Sequence, residues 1–148
     1  MQHSSTLSQQ TTIEQVRKIF LLANGILLTF MGVAGGTVDL LAYWTGNGPL
    51  GKHLFNAPYA VGFFAEHELT AFCGILLLTM ARSDPKLGWH IAAAALHLLS
   101  ALGIAIFWQG AVEWGVTSAE ASVFVLDIIL AAAHFLLYTL AQRYARQG

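Results

Sequence analysis

Four apolar stretches, residues 19–41, 60–80, 89–107 and 121–140, alternate with short polar segments along this 148-residue chain. Each approaches the ~20 residues a helix needs to cross a hydrocarbon core about 30 Å thick, at about 1.5 Å per residue. Apolar residues make up 56% of the chain and charged residues only 10%, where soluble domains carry about a quarter charged. The pattern predicts an all-α integral membrane protein, an up-down four-helix bundle forming one domain over residues 13–148. Residues 1–12, MQHSSTLSQQTT, are polar and low in complexity and read as a disordered tail. The first apolar stretch is too long for the core of a signal peptide.

Local signals mark the helix ends. Thr11 with Glu14 has the capping-box form and predicts a helix start near Thr12, and Thr117 with Glu120 repeats it before the fourth stretch. Asp84 suits an N-cap and Pro85 the first helical position, where a missing N–H costs nothing. The tight segment 82–88 predicts that the second and third spans are antiparallel neighbours. The connection 45–58 is rich in Gly and Pro and is expected to be irregular.

Charge then sets the orientation. Arg17, Lys18, Arg82, Lys86, Arg143 and Arg146 all fall on one side of a four-span layout, and only Lys52 falls on the other. The positive-inside rule makes this a multi-pass protein of the cell (inner) membrane with both termini cytoplasmic. The net charge of -1, with no basic patch beyond the membrane flanks, speaks against nucleic-acid binding. The single cysteine, Cys73, leaves no intramolecular disulfide. Gly32 and Gly36 form a GxxxG pair that serves either internal packing or a homo-oligomer.

The informative residues are the ionisable ones inside the spans, since a charge at the bilayer centre costs at least about 2.5–3.5 kcal/mol. They are Asp39, Glu66, His67, Glu68, His97, Asp127 and His134, with His90 at the inner edge. Several recur at heptad spacing: Gly25–Gly32–Asp39, Glu66–Cys73–Met80, His90–His97–Ile104 and Asp127–His134–Ala141. Two helical turns return residue i+7 nearly above residue i, so each span has one polar or small stripe, expected to face a shared interior.

Counting along the spans gives two layers. An outer, carboxylate-rich layer holds Asp39 about 3 Å below the outer boundary, with Glu66, His67, Asp127 and, slightly deeper, Glu68 about 9–10 Å below it. A midplane layer holds Cys73, His97 and His134, roughly 18–20 Å down. Glu66 and Glu68 lie about 200° apart on a helix and cannot face one centre, and the sequence leaves open which faces inward.

Several chemistries fit these residues. A divalent metal could be held by Glu66, His67 and Asp127, although the Glu-x-x-His repeat of di-iron bundles is absent. His97 and His134 share a depth that would suit haem axial ligands or, with Cys73, a soft metal. A proton or ion relay, or a hydrogen-bonded polar cluster that only orders the bundle, also fits. No Lys lies within a span, which excludes a retinal Schiff base. No nucleophile–base constellation can be assigned from spacing, so enzymatic activity is left open.

The stretch from Glu68 through Gly74 to Arg82, a glutamate followed by a Gly-containing apolar run and a basic exit, resembles the small four-span DoxX-like membrane proteins. That resemblance implies a membrane subunit or accessory protein, some relatives being linked to quinone-coupled oxidoreductases. Two function classes follow. One is an intramembrane carboxylate/histidine site that binds or relays a proton, metal ion or redox cofactor. The other is a structural or accessory subunit of a larger membrane complex.

Overall fold

The computed structural model describes the backbone of residues 2–146 and the side chains of residues 11–146. Residues 2–12 of the expected tail belong to the first helix, and among them only Thr11 and Thr12 have described side chains. Among the described residues, four helices are long and apolar enough to cross a membrane: α1 (Gln2–Thr45, apolar within its Thr11–Thr45 part), α3 (Ala60–Ser83), α4 (Gly88–Ile106) and α6 (Thr117–Ala145). Two short helices, α2 (Gly51–Leu54) and α5 (Trp108–Glu113), occupy connections at one end. The described residues contain no strand. All three prolines, Pro49, Pro58 and Pro85, sit in connections, so nothing removes a ladder donor from the long helices.

The helix ends depart from the sequence expectations. Asp84 is the C-cap of α3, its N–H bonded to the Met80 carbonyl, and α4 opens at Gly88 with Leu87 as N-cap. The reason is the proline: a residue before Pro is driven out of the helical region, and Asp84 sits at φ -153°, ψ 84°. The turn is closed instead by the Lys86 N–H donating to the Asp84 carbonyl at 2.7 Å. At the fourth span, Val116 is the N-cap with no side-chain cap, so Thr117 is already helical and its capping box is not formed. Gly115, at φ +73°, ends the α5 turn and lets α6 start that early. No helix start appears at Thr12 within the described residues.

Packing is concentrated in two antiparallel pairs, α1 with α3 and α4 with α6, joined mainly through α1 and α6. Helices α3 and α4 hardly meet, despite their short connection. They diverge around an apolar cleft of about 260 Å³, whose lining includes Cys73, Leu77, Trp89, Ala93 and Leu96. The short turn fixes their direction but supplies no matching faces.

Helix α1 lies close to α3 because both present small residues. A methyl group on Gly32 would collide with the Ala71 backbone nitrogen and the His67 carbonyl, and one on Gly74 with the Thr29 backbone nitrogen. Gly32 therefore packs inside the chain, the first of the two readings of the Gly32/Gly36 pair. The inward stripe of α3 is Ala60, Gly74 and Ala81, with His67 between them at the same heptad spacing. The expected Glu66–Cys73–Met80 stripe is thus displaced by one residue, a rotation of about 100°.

An apolar cluster of Leu21, Leu28, Leu77, Ala81 and Ala93 fills the interior toward the terminal end. At the opposite end Trp114 stacks near His53, Tyr59 and Phe63, and the Asn56 N–H donates to the Tyr43 carbonyl at 3.1 Å. Outward faces carry exposed Phe30, Val33, Val61, Phe72, Leu99 and Phe135, a coat suited to lipid.

Candidate functional site

The buried polar residues of the long apolar helices form two separate groups. The smaller joins α1 and α3: His67 Nδ1 lies 2.8 Å from Asp39 Oδ2 and 3.1 Å from the Phe63 carbonyl. Asp39 is buried, whereas the His67 side chain is 33% exposed. Gly35 makes the pair possible, because any Cβ there would overlap the His67 imidazole.

The larger group lies where α1, α4 and α6 meet, and every member is buried: Arg17, Asn24, His90, His97, Asp127 and His134. Helices α1 and α4 run parallel here and α6 antiparallel to both, so three heptad-spaced pairs face one another. Arg17 and Asn24 come from α1, His90 and His97 from α4, Asp127 and His134 from α6. His97 Nδ1 donates to Asp127 Oδ1 at 2.7 Å. His97 Nε2 lies 3.0 Å from Asn24 Nδ2 and 3.2 Å from Asn24 Oδ1. Asn24 Nδ2 also lies 2.7 Å from His134 Nε2, and His134 Nδ1 lies 2.9 Å from His90 Nδ1. Phe20 stands edge-on to the His134 ring with centroids 4.7 Å apart.

Below this network, the buried Arg17 guanidinium bonds both Glu14 carboxylate oxygens through Nη1 at 2.5 Å. Its Nη2 donates to the Pro85 carbonyl at 3.0 Å, tying α1 to the α3–α4 turn. Three buried polar atoms have no partner among the described residues: Arg17 Nε, His90 Nε2 and Asp127 Oδ2. Two of them, His90 Nε2 and Asp127 Oδ2, are the termini of the hydrogen-bonded run.

Donor and acceptor counting gives this network one consistent arrangement with all three imidazoles neutral. If the carboxamide NH₂ of Asn24 donates to the Nε2 atoms of both His97 and His134, both rings carry their proton on Nδ1. His97 then donates to Asp127 and His134 to His90, leaving His90 protonated on Nε2. A second arrangement places a proton on His97 Nε2 as well. That imidazolium donates to Asp127 at one nitrogen and to Asn24 Oδ1 at the other, with the remaining bonds unchanged. Buried polar groups are costly unless paired, and His97 is paired in either state.

The sequence-identified residues are thus redistributed. Asp127 joins His97 rather than Glu66 and His67, so the outer carboxylate layer is not one site. Glu66 and Glu68 are both exposed, and neither faces the interior. Cys73 is half-buried and lines the apolar cleft, apart from His97 and His134. Among the described residues, no three or more His, Cys, Asp or Glu side chains are placed to hold a metal ion, so Glu66, His67 and Asp127 do not form the expected set. His97 and His134 do come together, with ring centroids 6.0 Å apart and planes 20° from parallel. Both Nε2 atoms approach the same carboxamide, which fills the place a shared haem iron would need. Asn24 and Arg17 escaped the search for ionisable groups in spans, although their i, i+7 spacing with each other was visible.

No family model, curated protein or solved structure matches this chain.

Proposed function

We propose that this chain is a small inner-membrane protein whose interior binds and releases one proton at the His97–Asp127 couple. The observation that carries this reading is the position of His97 Nε2, within hydrogen-bond reach of both the nitrogen and the oxygen of Asn24. The site therefore accommodates neutral and protonated imidazole without leaving a buried nitrogen unpaired. A metal or haem has weaker support, because the donors do not converge and the carboxamide stands between the imidazoles. A void of about 240 Å³ bounded by Ile13, Glu14, Ala141, Tyr144 and Ala145 lies beside Glu14, the partner of Arg17.

Potentiometric titration of the solubilised protein tests the reading. Wild type is expected to take up about one proton per chain more than His97→Gln or Asp127→Asn, the difference that linkage assigns to a single lost site. Equal uptake by all three proteins would overturn it. The accessory-subunit reading has its own support, since Glu66 and Glu68 lie exposed on a membrane-length helix, where a lipid contact is costly and a partner would cover them. Equal uptake, together with co-purification of a partner that Glu68→Leu releases, would favour that alternative.

Both termini are placed in the cytoplasm on the Lys/Arg asymmetry. Reporter fusions after Gly148 and within residues 46–51 are expected to report opposite compartments. The same compartment at both positions would rule out the orientation.

A further inference from the structure

We propose that Asn24 is the positioning residue that confines the proton to the His97–Asp127 couple by holding His134 neutral, with its ring proton on Nδ1. This rests on the proton-binding reading above and concerns which of three adjacent histidines can carry the charge.

The argument is geometric. Among the described residues, the hydrogen-bond partner of His134 Nε2 is the Asn24 amide nitrogen at 2.7 Å, the shorter of the two contacts Asn24 Nδ2 makes with imidazoles. An amide nitrogen donates and cannot accept. His134 Nε2 must then stay an unprotonated acceptor, which puts the ring proton on Nδ1, where it faces His90 Nδ1 at 2.9 Å. His90 Nδ1 accepts in turn, so His90 carries its proton on the buried Nε2. A second proton on His134 would point an N–H at the Asn24 N–H₂ with no acceptor in reach. His97 meets no such obstacle, since its Nε2 also reaches Asn24 Oδ1. The carboxamide thus presents both faces to one imidazole and only its donor to the other.

The charged groups around the site reinforce the division. From α6, Asp127 faces His97 and offers an acceptor to its Nδ1 proton. His134, also from α6, faces His90 of α4, and the α1 cation one heptad below Asn24 is Arg17. Asn24 brings no charge of its own. Proton binding at His97 adds one N–H bond at Nε2, with the proton drawn from water, and no other bond order changes. With a donor-only contact to His134, the run from Asp127 to His90 does not conduct a proton from end to end. Asn24 interrupts it.

Selective ¹⁵N labelling of the histidine rings in the full-length protein tests this. In wild type, His134 is expected to show an unprotonated Nε2 throughout a titration in which His97 Nε2 gains a proton. Replacing Asn24→Asp exchanges the donor for an acceptor of similar shape. His134 Nε2 is then expected to move into the protonated range, and total uptake to rise. Asn24→Leu, which keeps neither function, should release the tautomer so that both forms of His134 appear. A protonated His134 Nε2 in wild type, or a His134 spectrum unchanged by both substitutions, would overturn the proposal. Should Asn24→Asp fail to fold, Asn24→Leu and the wild-type His134 tautomer still decide it. If His97 never titrates while the His134 tautomer responds to Asn24 as described, the proton-binding reading fails and the assignment of Asn24 stands.

Discussion

Replacing Gly32 by leucine is expected to be among the most damaging single changes in this protein, costing about 3 kcal/mol or more, at the upper end of overpacking effects. The atoms in the way are the Ala71 backbone nitrogen and the His67 carbonyl, neither of which can rotate aside as a side-chain tip can. Accommodation requires α1 and α3 to separate. Separation also pulls Asp39 from His67, because the pair is anchored one heptad along the same contact. Gly36→Leu is the informative comparison: the nearest atoms to a Cβ at Gly36 are the Phe64 ring and His67 Cβ at 3.4–3.5 Å, ordinary contact distances. A methyl is tolerated there, so Gly36→Ala should be close to neutral while Gly32→Ala should not. Reversible unfolding in mixed micelles, followed by helicity, measures all of these. Wild-type stability for Gly32→Leu, accompanied by loss of an oligomer, would show that the glycine face serves association between copies after all.

What the sequence makes legible follows from what each physical signal can encode. Hydrophobic length located all four long helices, α3 and α4 to within three residues of their ends, whereas α1 and α6 run on past their apolar stretches, α1 by many residues at its start. Heptad spacing identified the inward faces of α1, α4 and α6, where a charged or very small residue recurs every two turns on an otherwise apolar helix. On α3 the same reasoning slipped by one residue. Glu66, His67 and Glu68 are consecutive, and hydropathy does not rank them. What selects His67 is the missing side chain at Gly35 on another helix, a tertiary fact. Counting depth put Asp127 in a layer with Glu66 and His67 and His97 in a deeper one, whereas Asp127 and His97 meet at 2.7 Å; span ends read from hydropathy shift a depth by several ångströms, and α3 and α6 belong to different helix pairs. Asn24 was overlooked for a chemical reason: an uncharged amide has a modest insertion cost, yet its fixed donor and acceptor can dictate the protonation of two imidazoles.

Removing one partner of the His97–Asp127 pair is the second large effect, expected to cost about 3–5 kcal/mol, as for other buried pairs broken on one side. Asp127→Ala strands the His97 Nδ1 donor in a site where its side chain is 2% exposed, and water cannot replace the lost acceptor. His97→Ala strands more. It leaves Asp127 Oδ1 without its donor beside an Oδ2 that already has none, and takes one imidazole from Asn24. Asp127→Asn keeps an acceptor oxygen and should fall well below Asp127→Ala. The pair Asp39–His67 supplies the contrast, because His67 is a third exposed and can be rehydrated when its partner goes. The decisive measurement is a double-mutant cycle on unfolding free energy. His97→Ala combined with Asp127→Ala should cost much less than the sum of the singles, since the second deletion removes the group that the first left unpaired. Strictly additive costs would mean that the two side chains do not stabilise one another, and that packing alone holds α4 against α6.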